Sequence, residues 1–363
     1  MMVPAAIELG VDIQVLAEQQ GSSAAIAATA VGDYTDAAIV LAFAREVDVV
    51  TFDHEHVPQA VLAALVDAGH AVHPGPAALA VAQDKIVMRE RLTGIGAPVP
   101  EWAVVRDAAG LAPFLAAHGG RAVVKTPRGG YDGKGVRVVT GATDADDWFA
   151  AAGEDGLLVE ELVDFRRELA QLVARRPSGE VRPWPLVETV QRDGVCAEVI
   201  APAPDGQVLV AGALAAEAQA LAERIATELG VTGVLAVELF ETTDGRLLIN
   251  ELAMRPHNTG HWTIDGAVTS QFEQHLRAVL DLPLGDPSPT APWSVMVNVL
   301  GGPAGATMPD RYEAAMAAQP AVKFHFYGKQ SRPGRKVGHV TATGAQLDDT
   351  VARARAAATF FQD

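Results

Sequence analysis

The chain predicts a mixed α/β and α+β protein. It opens with a parallel α/β sheet, continues into a larger α+β body and ends in a small β-rich module. Three observations carry this. Short buried runs alternate with helical stretches over residues 1–82. A glycine-rich segment around residue 130 joins two strands. A proline-rich stretch from residue 282 precedes a last group of strands.

In the N-terminal part, Val11-Asp-Ile-Gln-Val-Leu and Val47-Asp-Val-Val-Thr-Phe read as buried strands, and residues 35–45 and 58–68 read as helices. The chain opens on a short helix, Pro4 to Gly10, with none of the strand and loop that normally precede the first helix of such a unit. A helix is expected over Gln83 to Gly94, and Ala97-Pro-Val-Pro100 is a linker. Trp102 to Val163 forms a small α+β unit. Strands follow at Leu169 to Val173 and Val195 to Ile200, then an alanine-rich helix over 213–229, a hairpin, and a helix from Phe272 to Leu280. Leu282-Pro-Leu-Gly-Asp-Pro-Ser-Pro is a boundary, and strands and a helix complete the chain from Trp293. The domains are therefore expected at 1–82, 83–283 with a mobile lid over about 101–163, and 284–363.

Composition excludes several classes. The 363 residues are 49% apolar and 20% charged, enough to bury a large core. A net charge of −17 argues against a nucleic-acid surface. The single cysteine, Cys196, permits no intrachain disulfide and fits a reducing cytoplasm; it reads as a packed side chain in a strand. No apolar run reaches the ~18 residues that span a bilayer, and the first basic residue is Arg45, so no secretory n-region is present.

The hairpin is the most informative segment. Two apolar runs flank Asp244-Gly245, a strong signal for a two-residue turn. Counting outward from that turn puts Thr243 opposite Arg246 and Glu238 opposite Glu251. Like charges across a ladder are destabilising, so a cation between them is expected, and hard oxygen donors suit Mg²⁺. A solvated edge hairpin with scattered carboxylates is the competing arrangement.

A second site is Val123-Val-Lys125-Thr-Pro-Arg-Gly129-Gly130-Tyr131-Asp132-Gly133-Lys134-Gly135-Val136. Four glycines, two lysines and an arginine fall within eleven residues. A Walker loop runs into a helix, whereas this loop runs into a strand. A kinase glycine loop precedes its lysine, whereas Lys125 comes first. What remains is a glycine loop between antiparallel strands whose N–H groups can approach phosphate oxygens.

Other polar segments gather around these two. Glu160 and Glu161 end an apolar strand. Met254-Arg255-Pro-His257-Asn258-Thr-Gly260-His261-Trp262 follows the hairpin; Arg255 can clamp a planar anion, His257 and Asn258 can complete its hydrogen bonds, Trp262 reads as core and His261 stays open. Lys329-Gln-Ser-Arg332-Pro-Gly-Arg335-Lys336 collects four of the 28 basic residues and suits an anion, with a lysine-guarded sheet edge as the alternative for Lys329. His54-Glu55-His56 could bind a metal, but its place after a strand favours a substrate-facing loop.

Assembled, these segments resemble an ATP-grasp fold, and more narrowly the N5-carboxyaminoimidazole ribonucleotide synthetase family. The resemblance rests on Thr51-Phe-Asp-His-Glu-His, Gln83-Asp-Lys85, Gly129 to Gly135, Ile249-Asn250-Glu251 through Thr263, and Arg332-Pro-Gly-Arg-Lys-Val-Gly-His339. They span nearly the whole chain.

The resemblance implies that Lys85 and Lys125 contact ATP phosphates and that Gly130 to Val136, with Tyr131, Asp132, Gly133, Lys134 and Gly135, close over them. Glu160, Glu161, Leu162 and Val163 would meet adenine and Glu168 the ribose. Gln191 stands where the family often has a nucleotide-contacting histidine. Asn250 would sit at the nucleotide beside Glu251, while Glu238 and Glu251 would hold Mg²⁺, or Mn²⁺. Arg255, His257 and Asn258 would hold bicarbonate as the catalytic group. Glu55, Tyr131, Asp132, Lys134, Lys329, Arg335 and Lys336 would line the aminoimidazole ribonucleotide site. The implied activity is ATP- and bicarbonate-dependent carboxylation of that ribonucleotide through carboxyphosphate, in a cytoplasmic homodimer that passes its product to a separate mutase. The family begins with a strand and a Gly-Gly-Gly-Gln-Leu loop, and this sequence starts just after it; a misplaced start is the expectation. The rival activities are an ATP-grasp ligase using formate or an amino acid, and a nucleotide-binding protein without turnover.

Overall fold

The computed structural model describes residues 1–130, 135–192, 194–204, 211–301 and 307–361. The N-terminal unit contains α1 (Met2–Leu9), β1 (Val15–Ala17), β2 (Ala28–Val31), α2 (Ala37–Ala44), β3 (Val49–Val50), α3 (Gln59–Asp67) and β4 (Ala71–Val72). Its strands are parallel, as expected, but they form two separate ladders, β1 with β2 and β3 with β4. The expected strands at 11–16 and 47–52 are short: β1 keeps only the end of the first and β3 only the middle of the second. Asp36 caps α2 by accepting from the N–H groups of Ala38 and Ile39.

The helix expected over Gln83 to Gly94 is α5 (Lys85–Gly94), which begins two residues later, just after a separate helix α4 (Pro76–Gln83). Asp84 interrupts them. Its backbone is extended and its carboxylate accepts from the N–H groups of Ile86 and Val87, so it starts a new helix with Lys85 in the first position. The Lys85 N–H donates to the carbonyl of Pro127 at 2.8 Å, which ties α5 to the glycine loop.

A four-stranded antiparallel sheet follows, with β5 (Trp102–Val105), α6 (Ala108–Ala117), β6 (Ala122–Lys125), β7 (Val136–Val139), α7 (Asp146–Ala152) and β8 (Leu157–Glu161) in strand order β5-β8-β6-β7. It has its own core, including Leu111, Leu115, Val124, Val139 and Leu157.

The large sheet uses β9 (Phe165–Arg175), β10 (Val181–Pro183), β11 (Val187–Arg192), β12 (Val195–Ala201), α8 (Ala211–Glu228), β13 (Gly233–Thr242), β14 (Leu247–Ala253), α9 (Thr263–Gly266) and α10 (Gln271–Val279). Ala218, Leu221, Ala222, Ile225 and Ala226 make the buried stripe of α8 at helical spacing, packed in one core with Leu235, Val237 and Leu239 of β13 and with α3 and α4. The C-terminal elements are β15 (Trp293–Leu300), α11 (Tyr312–Ala318), β16 (Lys323–Phe326), β17 (Lys336–Gly344) and α12 (Leu347–Thr359). Their strands do not make a sheet apart. Among the described residues the order is β14-β13-β9-β11-β12-β15-β17-β16, with β10 beside β9, so β12 and β15 join the module to the main body. Arg355 of α12 locks this junction with a two-point contact to the buried Glu198 of β12, at 2.8 and 3.0 Å. No helix among the described residues is long and apolar enough to cross a membrane.

Candidate active site

Glu238 and Glu251 are register partners across β13 and β14. The expected two-residue turn is not how they meet. Thr242 donates its N–H to the carbonyl of Arg246 at 2.9 Å, and Gly245 has φ 85°, so Thr243, Asp244 and Gly245 form a three-residue loop with glycine in the left-handed position. That loop shifts the ladder by one residue, pairing Leu239 with Ile249. A bulge then restores it: Asn250 is the extra residue between Ile249 and Glu251. The bulge also turns two successive side chains, Asn250 and Glu251, toward the same cavity.

That cavity has a volume of about 1930 Å³ and lies where the N-terminal unit, the small sheet and the large sheet converge. Glu238 and Glu251 line it with Glu168, Lys85 and Lys125. Burial, then the nearby charges of Glu251 and Glu168, push the Glu238 carboxyl up to about 8. Glu168 is raised by burial against a hydrogen bond with Gln191. Two facing carboxylates in a half-buried cleft, one of them held partly neutral, form a hard-oxygen donor set that suits Mg²⁺. Lys85 Nζ lies 3.2 Å from Glu251 Oε1.

Lys125 is buried, and Glu160 is not a solvated strand end. Its carboxylate is buried between two cations, Lys125 Nζ at 2.7 Å and the Arg89 guanidinium. The Glu160 carboxylate is therefore engaged by these two cations, while the residue lines the cavity. Burial pulls Lys125 down against the charge of Glu160. Burial would raise Glu160, but Lys125 and Arg89 outweigh it and hold it below the ordinary carboxylate range. Lys125 also donates to Asn250 Oδ1 at 3.2 Å. Glu161, Leu162 and Val163 line the same wall, and Glu161 Oε1 accepts from the Glu101 N–H.

The segment after the hairpin faces the acid pair. Arg255 Nε donates to Glu55 Oε2 at 2.7 Å, joining two residues expected to serve different ligands. His257 Nδ1 accepts from the Thr259 N–H at 3.4 Å, which leaves the proton on Nε2, 3.7 Å from Glu238 Oε1. Burial, with Arg255 and Lys336 nearby, holds His257 well below the usual range, so it is neutral. Asn258 makes a reciprocal amide pair with Asn298, at 2.9 and 2.7 Å, so only part of its hydrogen-bonding capacity faces the cavity. His261 is resolved as a core residue: it is buried, bonded to Gln271 Nε2 at 2.8 Å, and burial with the charge of Arg255 lowers it to about 3. Trp262 is fully buried, as expected.

Of the basic turn, Lys329 and Lys336 line the cavity, and Lys329 stands over the Tyr327 ring at 5.5 Å. Arg335 does not. It is exposed and donates to the carbonyl of Gln330 at 3.4 Å, because the turn folds back on itself there. In the glycine loop, Gly130 and Val136 line the cavity, while Gly135 closes the loop's base by accepting from Thr126 N–H at 2.9 Å. Tyr131, Asp132, Gly133 and Lys134 lie outside the described residues. Among the described residues His54 and His56 belong to no three-ligand metal cluster; the His54 ring is tilted against both Tyr34 and His56, and all three line the cavity. Cys196 is buried and its thiol is pushed up to about 12 by burial, so it is inert. Arg89 is the residue that sequence reasoning passed over. The available signal was its place four residues after Lys85, on the same helix face one turn on.

Comparison with known proteins gives three family matches: a ribonucleotide synthetase preATP-grasp domain over residues 1–83, an ATP-grasp domain over 90–272, and a phosphoribosylaminoimidazole carboxylase C-terminal domain over 294–353. The chain is 52% identical over 360 residues to the N5-carboxyaminoimidazole ribonucleotide synthase of Mycobacterium tuberculosis, covering 98% of this chain and 83% of that protein. It is 51% identical to that of Corynebacterium ammoniagenes, covering 99% and 88%. Among solved structures, the Thermus thermophilus synthetase superposes with a TM-score of 0.85 at 36% identity, covering 97% of this chain and 94% of that one. The Aspergillus clavatus synthase, in complex with ADP and 5-aminoimidazole ribonucleotide, superposes with a TM-score of 0.88 at 30% identity, covering 99% and 95%. The chain belongs to the N5-carboxyaminoimidazole ribonucleotide synthase family of ATP-grasp enzymes.

Proposed function

We propose that this cavity carboxylates 5-aminoimidazole ribonucleotide to N5-carboxyaminoimidazole ribonucleotide, an ATP-dependent ligase step of purine biosynthesis, with bicarbonate as the carbon source. The observation that carries it is the facing pair Glu238 and Glu251 with Lys85 and Lys125 beside it in one cavity. Family membership supports the reaction, and this geometry supports the roles given to the residues.

Lys85 and Lys125 receive the ATP phosphates, and the segment from Gly130 to Val136 covers them, with Glu161 to Val163 at the base and Glu168 and Gln191 toward the ribose. Glu238 and Glu251 would hold Mg²⁺, with Asn250 beside them, and the ion would supply positive charge to offset that of the triphosphate. Arg255, His257 and Asn258 hold bicarbonate, with Glu55 fixing the Arg255 guanidinium. Bicarbonate oxygen attacks the γ-phosphorus and ADP leaves, giving carboxyphosphate. Such a transfer depends on positioning and charge rather than on covalent work by the protein. The ribonucleotide amine then takes the carboxyl group and phosphate departs. Lys329 and Lys336 face the ribonucleotide. Carboxyphosphate is short-lived in water, so the glycine loop must exclude solvent during turnover. The same resemblance supports a cytoplasmic homodimer that hands its product to a mutase.

The test is ADP release with purified protein, Mg²⁺, ATP, bicarbonate and aminoimidazole ribonucleotide. Release that requires both bicarbonate and the ribonucleotide is expected. Release that needs formate or an amino acid and ignores bicarbonate would sink the proposal.

A further inference from the structure

We propose that Arg89 is a positioning residue for nucleotide binding: it balances the Glu160 carboxylate so that Lys125 is free to serve a phosphate. This rests on Lys125 contacting ATP.

Arg89 is fully buried, on the inner face of α5. Its Nε donates to Glu160 Oε1, and its Nη2 donates to the carbonyl of Asn250 at 2.7 Å. The other oxygen of Glu160 accepts from Lys125 Nζ at 2.7 Å. One buried carboxylate is thus shared by two cations, and the trio carries one positive charge in excess. A buried carboxylate that loses its only counterion is strongly disfavoured. If Lys125 were that only counterion, it could not turn to a phosphate without exposing Glu160 to this penalty. Arg89 removes the conflict. Its guanidinium cannot lose its proton and stays on Glu160, so Lys125 can exchange its carboxylate contact for a phosphate oxygen. The second anchor matters too. The carbonyl it holds belongs to Asn250, the bulged residue that turns Glu251 toward the cavity. A lysine at 89 would keep the charge but could not span both partners with one ammonium.

The experiment measures ADP affinity by calorimetry, and KM for ATP, bicarbonate and ribonucleotide, on the full chain. Lys125→Met sets the scale: loss of one charge-assisted contact corresponds to about 10- to 100-fold weaker ADP binding. Arg89→Met is expected to lose a similar factor and to raise KM for ATP, with KM for bicarbonate unchanged. Adding Glu160→Gln to Arg89→Met is expected to recover most of the ADP affinity, because no lone carboxylate then holds Lys125. Arg89→Met is expected to add nothing further in the Lys125→Met background. ADP binding of wild-type strength in Arg89→Met, or no recovery in the double variant, overturns the proposal. If Arg89→Met does not fold, the double variant, in which no carboxylate holds Lys125, decides: near wild-type ADP affinity supports the role, and affinity as low as Lys125→Met overturns it. Should Lys125→Met itself bind ADP normally, the nucleotide assignment of Lys125 fails first, and the two failures are told apart.

Discussion

Lys85 Nζ stands 3.2 Å from Glu251 Oε1, a contact that joins the first residue of α5 to β14, the outer strand of the acidic hairpin. Lys85 reaches it because Asp84 breaks the preceding helix and restarts the chain there. The pair brings the cation proposed to bind phosphate and the carboxylate proposed to bind the metal into one spot. Glu251→Gln keeps the shape and removes the charge. We expect it to fold with an unchanged far-UV spectrum and to lose bicarbonate-dependent ADP release by at least ~100-fold. Wild-type turnover in that variant would contradict the assignment of Glu251.

Glu238 carries a different liability. It faces Glu251, and burial, then the charge of Glu251, raises its carboxyl to about 8, so this carboxyl costs the metal-free protein stability. Glu238→Gln is expected to raise the melting temperature in EDTA, by a few degrees at most. It is also expected to abolish the added stabilisation that Mg²⁺ and ADP give the wild type. Thermal melts with and without Mg²⁺–ADP check both signs.

His275 supplies a pH prediction. Its Nδ1 accepts from the Val234 N–H at 3.1 Å, so Nε2 carries the proton and donates to Thr51 Oγ1 at 2.7 Å, linking α10 to the end of β3. Burial lowers it to about 4, from about 6.5 when unfolded. Its neutral form therefore contributes stability fully above pH ~6.5, and that stability is lost as the pH falls through about 4, on the order of 3 kcal/mol. Buried His257, His261 and His339 act in the same direction, whereas Glu238 and Glu168, both raised, act against it. We expect urea stability to fall from pH 7 to pH 5, and the slope to be shallower in His275→Gln.

Gly260 has no room for a side chain. A methyl there would collide with Leu172 and with the Gln271 amide. Gln271 clamps the backbone of His257, accepting its N–H at 2.8 Å and donating to its carbonyl at 2.7 Å. Gly260→Ala is expected to destabilise by about 1–3 kcal/mol and to raise KM for bicarbonate more than KM for ATP. Equal effects on the two constants would show that the clamp does not serve the bicarbonate side.

Sequence alone made the acid pair legible because alternation and turn chemistry are local. The register came out right for a reason that was not local. The three-residue loop and the Asn250 bulge shift the ladder in opposite senses and cancel. Nothing in the periodicity of Leu247 to Ala253 announces a bulge, since its bulged residue is held by Lys125 and Arg89 from distant elements. The partners of Glu160 were hidden for the same reason: its buried arginine and lysine are brought to that strand end by the fold. Arg335 looked equivalent to Lys336, but the turn's own hydrogen bond to Gln330 carries it away from the cavity. The elements of the C-terminal module were visible, whereas the pairing of β12 with β15 depends on contacts about a hundred residues apart.

The central claim is that Glu238 and Glu251 together hold the divalent ion on which the ATP tail docks. Electron paramagnetic resonance titration of Mn²⁺ in the presence of ADP tests it most directly. We expect about one tight Mn²⁺ per chain in the wild type, released by excess Mg²⁺ and absent from both Glu238→Gln and Glu251→Gln. Tight nucleotide-dependent Mn²⁺ binding that survives in both variants would contradict the account.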